Sequence, residues 1–339
     1  MIIAIDGFGG DNVPLEPLRG AEQAVKELDV DIVITGDEQK LHECAKENNV
    51  SLERITIVDA ATVMPIDEDP VKILKEYSQS SMAVGLDMVY EGAADAFVSA
   101  GSTGALLVGS TFIVKRIKGI KRPALASPIP MQGKKFYLLV DSGANHDCRP
   151  DMLTQFAVMG VVYQNKIMNI DNPRVGLVNI GAEKSKGTDL QKQTYVLLEQ
   201  APFLNFVGNV EARDLPNDGC DVAVCDGFTG NIILKLSEGF GRYFGGILKD
   251  IFYSNVISKL AGAAVDKQLK DFKKSLDYKE YGGVPILGLE KPVIKAHGSS
   301  NGLAFKNAIR QAKNCIEQNV CEEIAQGVAR FKEISSQEN

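Results

Sequence analysis

Short apolar segments that alternate with amphipathic helical patterns constrain the fold of this chain more than any other feature. A strand buried on both faces has this composition, and a helix between successive strands is what a parallel sheet requires. The predicted strands are Ile2–Ile5, Asp31–Thr35, Ile55–Val58, Ala96–Val98, Tyr137–Val140, Val175–Ile180, Phe203–Val207 and Val222–Cys225. The sequence therefore predicts an α/β protein with a doubly wound, mostly parallel sheet in a three-layer, Rossmann-like α/β/α arrangement.

Two strand-to-helix units of the chain are similar to each other. The first runs from Asp95 to Val108 and the second from Asp221 to Leu234. Asp, Val, Gly, Thr and Gly occupy matching positions in the two units, and both helices start with apolar residues. We interpret this as an internal duplication and expect two related halves whose Gly-x-Thr-Gly loops face a common cleft. The alternative is convergence, because a strand, a glycine loop and a helix form a common connection in α/β proteins.

The composition narrows the classes of function. There are 44 acidic against 37 basic residues, a net charge of -7, which argues against general nucleic-acid binding. The six cysteines show no Cys-x-x-Cys spacing and the three histidines are not clustered near them, so we expect no metal site. The chain opens with a strand and not with a basic and apolar leader, which predicts a cytoplasmic protein.

Glycine-rich loops follow several of the predicted strands. Open α/β sheets bind ligands at the carboxyl ends of their strands, and the start of a helix there favours an anion through its backbone amides. Plain N-capping of the helices is the alternative interpretation. Residues expected to bind phosphate or another substrate group are Asp6, Gly9, Gly10, Ser102, Thr103, Gly104, Asn145, Asn179, Gly181, Gly227, Thr229, Gly230 and Ser299.

The first of these loops, from Gly7 to Asp11, lacks the third glycine of the dinucleotide fingerprint, so we do not expect it to bind a dinucleotide. Its negative charges, Asp6 and Asp11, would repel phosphate directly. We therefore expect these carboxylates to orient a lysine, a water molecule or the loop itself.

One histidine is a candidate acid or hydrogen-bond donor. His297 lies among Gly and Ser residues just after the apolar run of residues 292–294. A lone histidine can instead have a purely structural role, and this alternative stays open. Cys225 ends a predicted buried strand, so we do not expect a cysteine acyl-enzyme.

Residues 240–280 predict a helical hairpin that leaves the globular body. An apolar stripe at helical spacing from Phe240 to Phe252 is followed by an apolar, glycine-broken segment and then by a run of lysines. Such a hairpin can contact an anionic membrane or a second copy of the chain, and an ordinary packed helix pair is the alternative. The predicted membrane residues are Val256, Ile257, Leu260, Val265, Lys267 and Lys270.

The segment from Lys115 to Lys135 contains basic residues and no acidic ones. A solvated basic face is one interpretation, and a binding surface for an acidic macromolecule is the other. The candidate contact residues are Lys115, Arg116, Lys118, Lys121 and Arg122.

Segments spread over nearly the whole chain resemble the bacterial phosphate acyltransferases of the PlsX family. These segments are Ile5–Asp11, Ser99–Gly104, Arg116–Pro123, Asp141–Asn145, Pro173–Gly181, Gly208–Glu211, Val224–Asn231 and Lys295–Ser300. The chain departs from the usual family pattern in two loops. Gly7-Phe8 replaces Ala-Met, and Lys184-Ser185 replaces an acidic run.

This resemblance implies a fold similar to those of phosphotransacetylases and of isocitrate and isopropylmalate dehydrogenases, with intertwined halves in a single domain of residues 1–339. It implies a homodimer, peripheral association with the inner face of the cell membrane, and no metal or nucleotide cofactor. The implied reaction makes acyl-phosphate from long-chain acyl-(acyl carrier protein) and inorganic phosphate. The product would serve a membrane glycerol-3-phosphate acyltransferase in phospholipid biosynthesis.

Attack of phosphate on a thioester requires an anion-binding loop and donors for the developing oxyanion. The candidate catalytic residues are His297, Lys184, Lys235 and Asn231. Two other functions remain open at this point. One is a phosphate acyltransferase that uses coenzyme A, and the other is a non-catalytic phosphate- or acyl-phosphate-binding module that docks a membrane partner.

Overall fold

The structure, a computed structural model, describes residues 1–133, 135–275 and 281–337. The strands are β1 (Ile2–Asp6), β2 (Asp31–Gly36), β3 (Ile55–Asp59), β4 (Ala96–Ser99), β5 (Ala124–Met131), β6 (Lys135–Val140), β7 (Arg174–Asn179), β8 (Asn205–Glu211), β9 (Val222–Val224), β10 (Gly283–Leu287) and β11 (Val293–Ala296). Every predicted strand has an observed counterpart, and β5, β10 and β11 are additional.

Helices follow most of the strands. They are α1 (Leu15–Leu28), α2 (Glu38–Glu47), α3 (Ser81–Tyr90), α4 (Thr103–Gly109), α5 (Pro150–Lys166), α6 (Asp189–Glu199), α7 (Gly227–Tyr253), α8 (Val256–Ala264), α9 (Asp266–Ser275), α10 (Gly302–Glu317) and α11 (Val320–Gln337). A π-helical turn, Ser110–Lys115, continues α4.

Eleven strands form one sheet in the order β3-β2-β1-β4-β11-β10-β5-β6-β9-β7-β8. Pairing is parallel in the first half, β3-β2-β1-β4-β11, and again in the second half, β6-β9-β7-β8. Three successive antiparallel pairings, through β10 and β5, lie between the halves. They reverse the strand direction, so the carboxyl ends of the two halves point to opposite edges. The predicted mostly parallel sheet is confirmed, and the strand-end loops of its two halves lie at opposite edges.

The core has two layers, one on each face of the sheet. Ile3 and Ile5 of β1 and Val140 of β6 belong to one continuous cluster beneath α1, α5, α10 and α11. On the other face, the first half packs against α3 and α4, and Leu139 of β6 packs in a separate cluster with Ile233 of α7. Successive residues of a strand point to opposite faces, which explains this division. The predicted three-layer arrangement is confirmed.

The two halves share the alternation of strands and helices but differ in strand order. From its outer edge the first half runs β3-β2-β1-β4, whereas the second runs β8-β7-β9-β6. The strands before the two similar loops, β4 and β9, therefore occupy different places relative to their neighbours. Internal duplication stays a hypothesis.

No residue of the predicted hairpin from 240 to 270 is buried. In α7, all of whose residues are described, Gly227 and Gly230 alone are buried, and α8 has no buried residue. Ile233 and Leu234 of α7 pack against the cluster that contains Leu139, and residues 276–280 of the predicted hairpin lie outside the described residues. Among the described helices, none is long and apolar enough to span a membrane.

Candidate active site

Asp6 lies buried at the end of β1, beneath the glycine loop that follows it. Its carboxylate accepts hydrogen bonds from the hydroxyls of Ser81 at 2.6 Å and Ser99 at 2.7 Å, and from the amide of Phe8 at 3.2 Å. Burial raises the pKa of this carboxyl, and the two serine donors act in the opposite direction. Asp6 therefore holds the loops after β1 and β4, the role that its charge predicts.

The loops after β1, β4 and β11 form one surface. The amide of Asp11 donates to the carbonyl of Gly298 at 2.8 Å, which joins the first loop to the last. Gly10 has a φ of +113°, and a Cβ at this residue would lie 2.9 Å from the Gly298 oxygen. A Cβ at Gly9 would likewise lie 2.7 Å from the amide nitrogen of Gly101. These glycines therefore allow the three loops to pack closely.

His297 lies at the surface in the loop after β11. The amide of Ser299 donates to its Nδ1 at 3.2 Å, and the Ser299 hydroxyl lies 2.9 Å from the same nitrogen. Because Nδ1 accepts, the proton of the neutral ring is on Nε2. Partial burial, and then the charges of Lys235 and Lys295, lower the pKa of this imidazole. His297 is thus a neutral donor through Nε2 at physiological pH.

Lys295 lies in β11, two residues before His297. It is 7% exposed, and its Nζ donates to the carbonyl of Ala100 at 3.3 Å and to that of Ala296. Burial lowers the pKa of this ammonium to about 8, although the charges of Asp6 and Asp11 raise it in part.

Helix α7 carries two predicted residues of the second half. The side chain of Lys235 is 56% exposed and pairs with Glu238 at 3.0 Å. Its charge also lowers the pKa of His297 and of Lys295, so Lys235 lies within electrostatic range of both. Asn231 lies one turn earlier on the same helix face. Of the predicted residues, Lys235 therefore approaches His297, whereas the side chain of Asn231 lies against Gly143 in the loop after β6.

In the second half, Asp141 at the end of β6 is buried and binds backbone amides. It accepts the N–H groups of Leu125 at 3.0 Å, Gly143 at 3.1 Å, Ala144 at 3.0 Å and Asn145 at 2.6 Å. Burial raises the pKa of this carboxyl, and these amide donors lower it in part. The loop after β6 is therefore folded around a carboxylate and has few amides left for a ligand.

The start of α7 is capped by a carboxylate. Asp226 accepts the amide and the hydroxyl of Thr229, both at 2.8 Å, and the amide of Gly227 donates to the carbonyl of Asn145 at 2.6 Å. A Cβ at Gly230 would overlap the carbonyl oxygen of Asp141, so this residue must be glycine. The capping interpretation is confirmed for this loop. Asp226 was missed, although Asp after a strand and before a helix is an N-cap signal.

The corresponding loop of the first half has a neutral cap. Ser102 accepts the amide of Ala105 at 3.4 Å, which confirms capping here too, whereas Thr103 is exposed. No carboxylate caps this helix, so the amides around Thr103 and Gly104 face solvent without an adjacent negative charge from the cap.

Other predicted residues lie at the loop after β7. The side-chain amide of Asn179 donates to the carbonyl of Lys186 at 3.2 Å, and Gly181 is buried in the same turn. Lys184 forms an ion pair with Glu199 of α6, and this carboxylate raises the pKa of the ammonium. The structure does not bring these residues to His297.

The basic segment lines an open depression of about 320 Å³. Its lining consists of Thr111, Phe112, Arg116, Lys121, Arg122, Arg149 and Met152. Lys118 is exposed nearby, and Lys115 donates to the hydroxyl of Tyr90 at 2.7 Å. Arg149 was missed, because it is distant in sequence from the basic segment.

A family model described as "Fatty acid synthesis protein" matches residues 1–323. A phosphate acyltransferase from Alkaliphilus oremlandii is 46% identical over 329 residues, which cover 97% of this chain and 98% of that protein. Another from Caldicellulosiruptor bescii is 48% identical over 321 residues, which cover 94% and 96% of the two chains. The chain belongs to this phosphate acyltransferase family. It is an acyltransferase of fatty acid synthesis, and the resemblance found in the sequence is confirmed.

Solved structures agree with the fold of this phosphate acyltransferase family member. A phosphotransacetylase from Streptococcus pyogenes superposes with a TM-score of 0.64 at 19% identity, with 94% of each chain covered. A branched-chain phosphotransacylase from Enterococcus faecalis gives a TM-score of 0.55 at 14% identity, with 93% of this chain and 99% of that one covered. The predicted phosphotransacetylase-like fold is therefore confirmed.

Proposed function

We propose that this enzyme transfers a long-chain acyl group from the thioester of an acyl carrier protein to inorganic phosphate. The observation that carries the proposal is the proximity of Lys235 to His297, in the loop that packs against the glycine loops of the first half. Phosphate is an anion, and its transfer site requires positive charge and hydrogen-bond donors in a fixed geometry. The acyl-phosphate product would then be consumed by a membrane glycerol-3-phosphate acyltransferase.

Phosphate binding is assigned to the surface formed by the loops after β1, β4 and β11. The amides around Thr103 and Gly104 at the start of α4 and the hydroxyl of Ser299 are the proposed donors. Gly9 and Gly10 allow the backbone to approach closely. We assign the second-half loop around Thr229 a supporting role, because the capping carboxylate of Asp226 would repel an anion at that helix start.

The reaction itself requires one bond to form and one to break. A phosphate oxygen attacks the thioester carbonyl carbon, and the carbonyl electron pair moves onto oxygen. The Nε2–H of His297 and the side-chain amide of Asn231 donate hydrogen bonds to this oxyanion, while Lys235 holds the phosphate. Collapse of the intermediate breaks the carbon–sulfur bond and releases a thiolate, which needs little help from an acid.

A covalent cysteine intermediate does not fit the surroundings of Cys225. Its side chain is 2% exposed, and burial raises the pKa of the thiol well above its ordinary value. A protonated, enclosed thiol is a poor nucleophile. We therefore propose direct transfer from the thioester to phosphate.

The basic depression is proposed as the docking site for the acyl carrier protein. Its lining combines the charges of Arg116, Lys121, Arg122 and Arg149 with Phe112, which is 60% exposed. An acidic carrier would be attracted by the charges and would cover the exposed ring. The depression lies beyond the helix whose start we assign to phosphate.

The hairpin is proposed to place the enzyme on the inner face of the membrane. Val256, Ile257 and Leu260 of α8 are 74%, 80% and 68% exposed, and Val265 follows them. Lys267 and Lys270 come next on α9, where they can meet anionic headgroups. The aromatic face of α7 around Phe240 is the proposed contact with a second copy in a homodimer.

The experiment that tests the reaction uses the purified enzyme, long-chain acyl-(acyl carrier protein) and labelled inorganic phosphate. We expect labelled acyl-phosphate from the carrier thioester. Product from acyl-coenzyme A alone would identify the coenzyme A-dependent enzyme, and product from neither donor would leave the non-catalytic binding module.

The membrane proposal is tested separately by flotation with vesicles rich in phosphatidylglycerol. Ile257→Glu should abolish flotation, whereas Val207→Glu, at a valine that is 44% exposed on β8, should not. Equal flotation of both variants would contradict the membrane role of α8.

A further inference from the structure

The mechanism above does not use the buried ammonium of Lys295. Lysine is rarely buried without a partner of opposite charge, because desolvation of the charged form costs free energy. Among the described residues, no carboxylate lies within ion-pair distance of its Nζ. The nearest carboxylate effects, from Asp6 and Asp11, are long-range, and Asp6 is itself held by Ser81 and Ser99.

The contacts of Lys295 join two loops of the candidate site. Its Nζ donates to the carbonyl of Ala100, in the loop after β4, and to that of Ala296, at the end of β11. An ammonium has three N–H groups, and these two carbonyls accept from two of them. In the same loop as His297, the hydroxyl of Ser300 is buried with no hydrogen-bond partner among the described residues. The third N–H of Lys295 and the hydroxyl of Ser300 are therefore available for hydrogen bonds beneath the surface proposed to bind phosphate.

We propose that Lys295 is a positioning residue for phosphate. It fixes the loops after β4 and β11 through two carbonyls, and it supplies a positive charge from beneath the surface on which the anion binds. The bound anion then provides the countercharge that the protein itself does not place within ion-pair distance. The inference rests on the proposed function, because it deepens the phosphate site described there.

The first test compares Lys295→Met with the enzyme itself. Loss of a charged hydrogen-bonding group should weaken binding of inorganic phosphate by about 10- to 100-fold, measured by calorimetry. The KM for phosphate should rise by a similar factor, with the KM for the acyl donor unchanged and Lys295→Arg restoring part of the loss. Lys313→Met is the matched control. Lys313, on α10, is partly buried and donates to the carbonyl of Leu28 at 2.7 Å.

The second test needs no variant. The charged groups that face Lys295 are Asp6, Asp11, Lys235 and His297. Burial lowers the pKa of Lys295 to about 8, so the ammonium is present below this pH and is lost above it. Phosphate affinity should therefore fall as the pH rises through about 8. Phosphate itself becomes more negative over this range, so a change in its own charge predicts the opposite trend.

A third measurement reports on charge independently of turnover. The charge of Lys295 lowers the pKa of His297, so Lys295→Met should raise the imidazole pKa, followed by NMR. Lys295→Met with unchanged phosphate affinity would overturn the inference. If that variant fails to fold, a phosphate affinity that does not fall above pH 8 in the intact enzyme would overturn it. Lys295-dependent phosphate binding without any acyl-phosphate product would support this inference and contradict the proposed function.

Discussion

Two buried aspartates occupy similar places in the two halves, but they bind different groups. Asp6, at the end of β1, accepts from two serine hydroxyls, whereas Asp141, at the end of β6, accepts from backbone amides of its own loop. A hydroxyl can rotate to donate or accept, but an amide can only donate. The loop of the first half therefore retains freedom to adjust around a ligand, while the loop of the second half is fixed around its carboxylate.

The groups that surround the two carboxylates also differ. Near Asp6 lie Lys295 and, further out, His297 and Lys235, all nitrogen-bearing groups. Asp141 is covered by the start of α7, where Gly230 contacts its carbonyl oxygen and Asp226 adds a second carboxylate. Positive charge thus collects around Asp6, whereas Asp141 is surrounded by structural contacts. We expect substitutions around Asp6 to change turnover and those around Asp141 to change stability.

The largest effect should come from His297→Gln. If the Nε2–H stabilises the oxyanion, its loss should lower kcat by about 10²- to 10⁴-fold. The free energy of unfolding should change little, because the imidazole lies at the surface. His42→Gln, on the exposed face of α2, is the control, and a His297→Gln enzyme with normal kcat would remove the proposed donor.

The next largest effect concerns stability and compares Asp141→Asn with Asp6→Asn. In the first variant an NH₂ group replaces an oxygen that accepts amide N–H groups, so donors face donors. We expect a loss of about 3 kcal/mol in the free energy of unfolding. In the second variant the hydroxyls of Ser81 and Ser99 can reorient, which limits the loss to about 1 kcal/mol. Denaturant unfolding measures both, and equal losses would contradict the difference between the halves.

The sequence predicts each half well but not the way in which they are joined. Strands β1 to β4 and β6 to β9 are apolar runs bounded by turn residues, and this pattern suffices to find them. Strands β5 and β10 contain Pro128, Pro130 and Pro285, which normally argue against a strand because proline lacks an amide donor. These two strands carry the antiparallel pairings that reverse the second half. A purely parallel sheet would place all the strand-end loops at one edge.

In the candidate site, too, the sequence predicts single residues but not the contacts between distant segments. His297 and Lys235 were predicted individually, from residue type and loop context, and α7 brings them together. The role of Lys295 depends on its burial and on the carbonyls of Ala100 and Ala296, and neither can be read from spacing. Arg149 joins the basic depression only because α5 begins beside it. Contacts between distant segments are what the pattern of one sequence leaves undetermined.

A moderate effect should come from Arg122→Glu in the basic depression. Reversal of one charge should lower kcat/KM for acyl-(acyl carrier protein) by about tenfold, mainly through slower association, and the loss should shrink at high salt. Activity with a small thioester should be unchanged. Lys192→Glu, on the exposed surface of α6, is the control. A loss shared equally by both thioesters would show that Arg122 acts on the site and not on the carrier.

The smallest effect on turnover should come from Cys225→Ala, at the end of β9. This thiol is enclosed in the second half, with its Sγ 3.6 Å from the carbonyl oxygen of Asp141. Its removal should cost about 1 kcal/mol of stability through the small cavity it leaves, while kcat should stay within about twofold of the original. Single-turnover assays with the carrier thioester measure this directly. A folded Cys225→Ala enzyme as inactive as His297→Gln would place an acyl-enzyme beside Asp141, and the contrast between the reactive surroundings of Asp6 and the structural surroundings of Asp141 would fail.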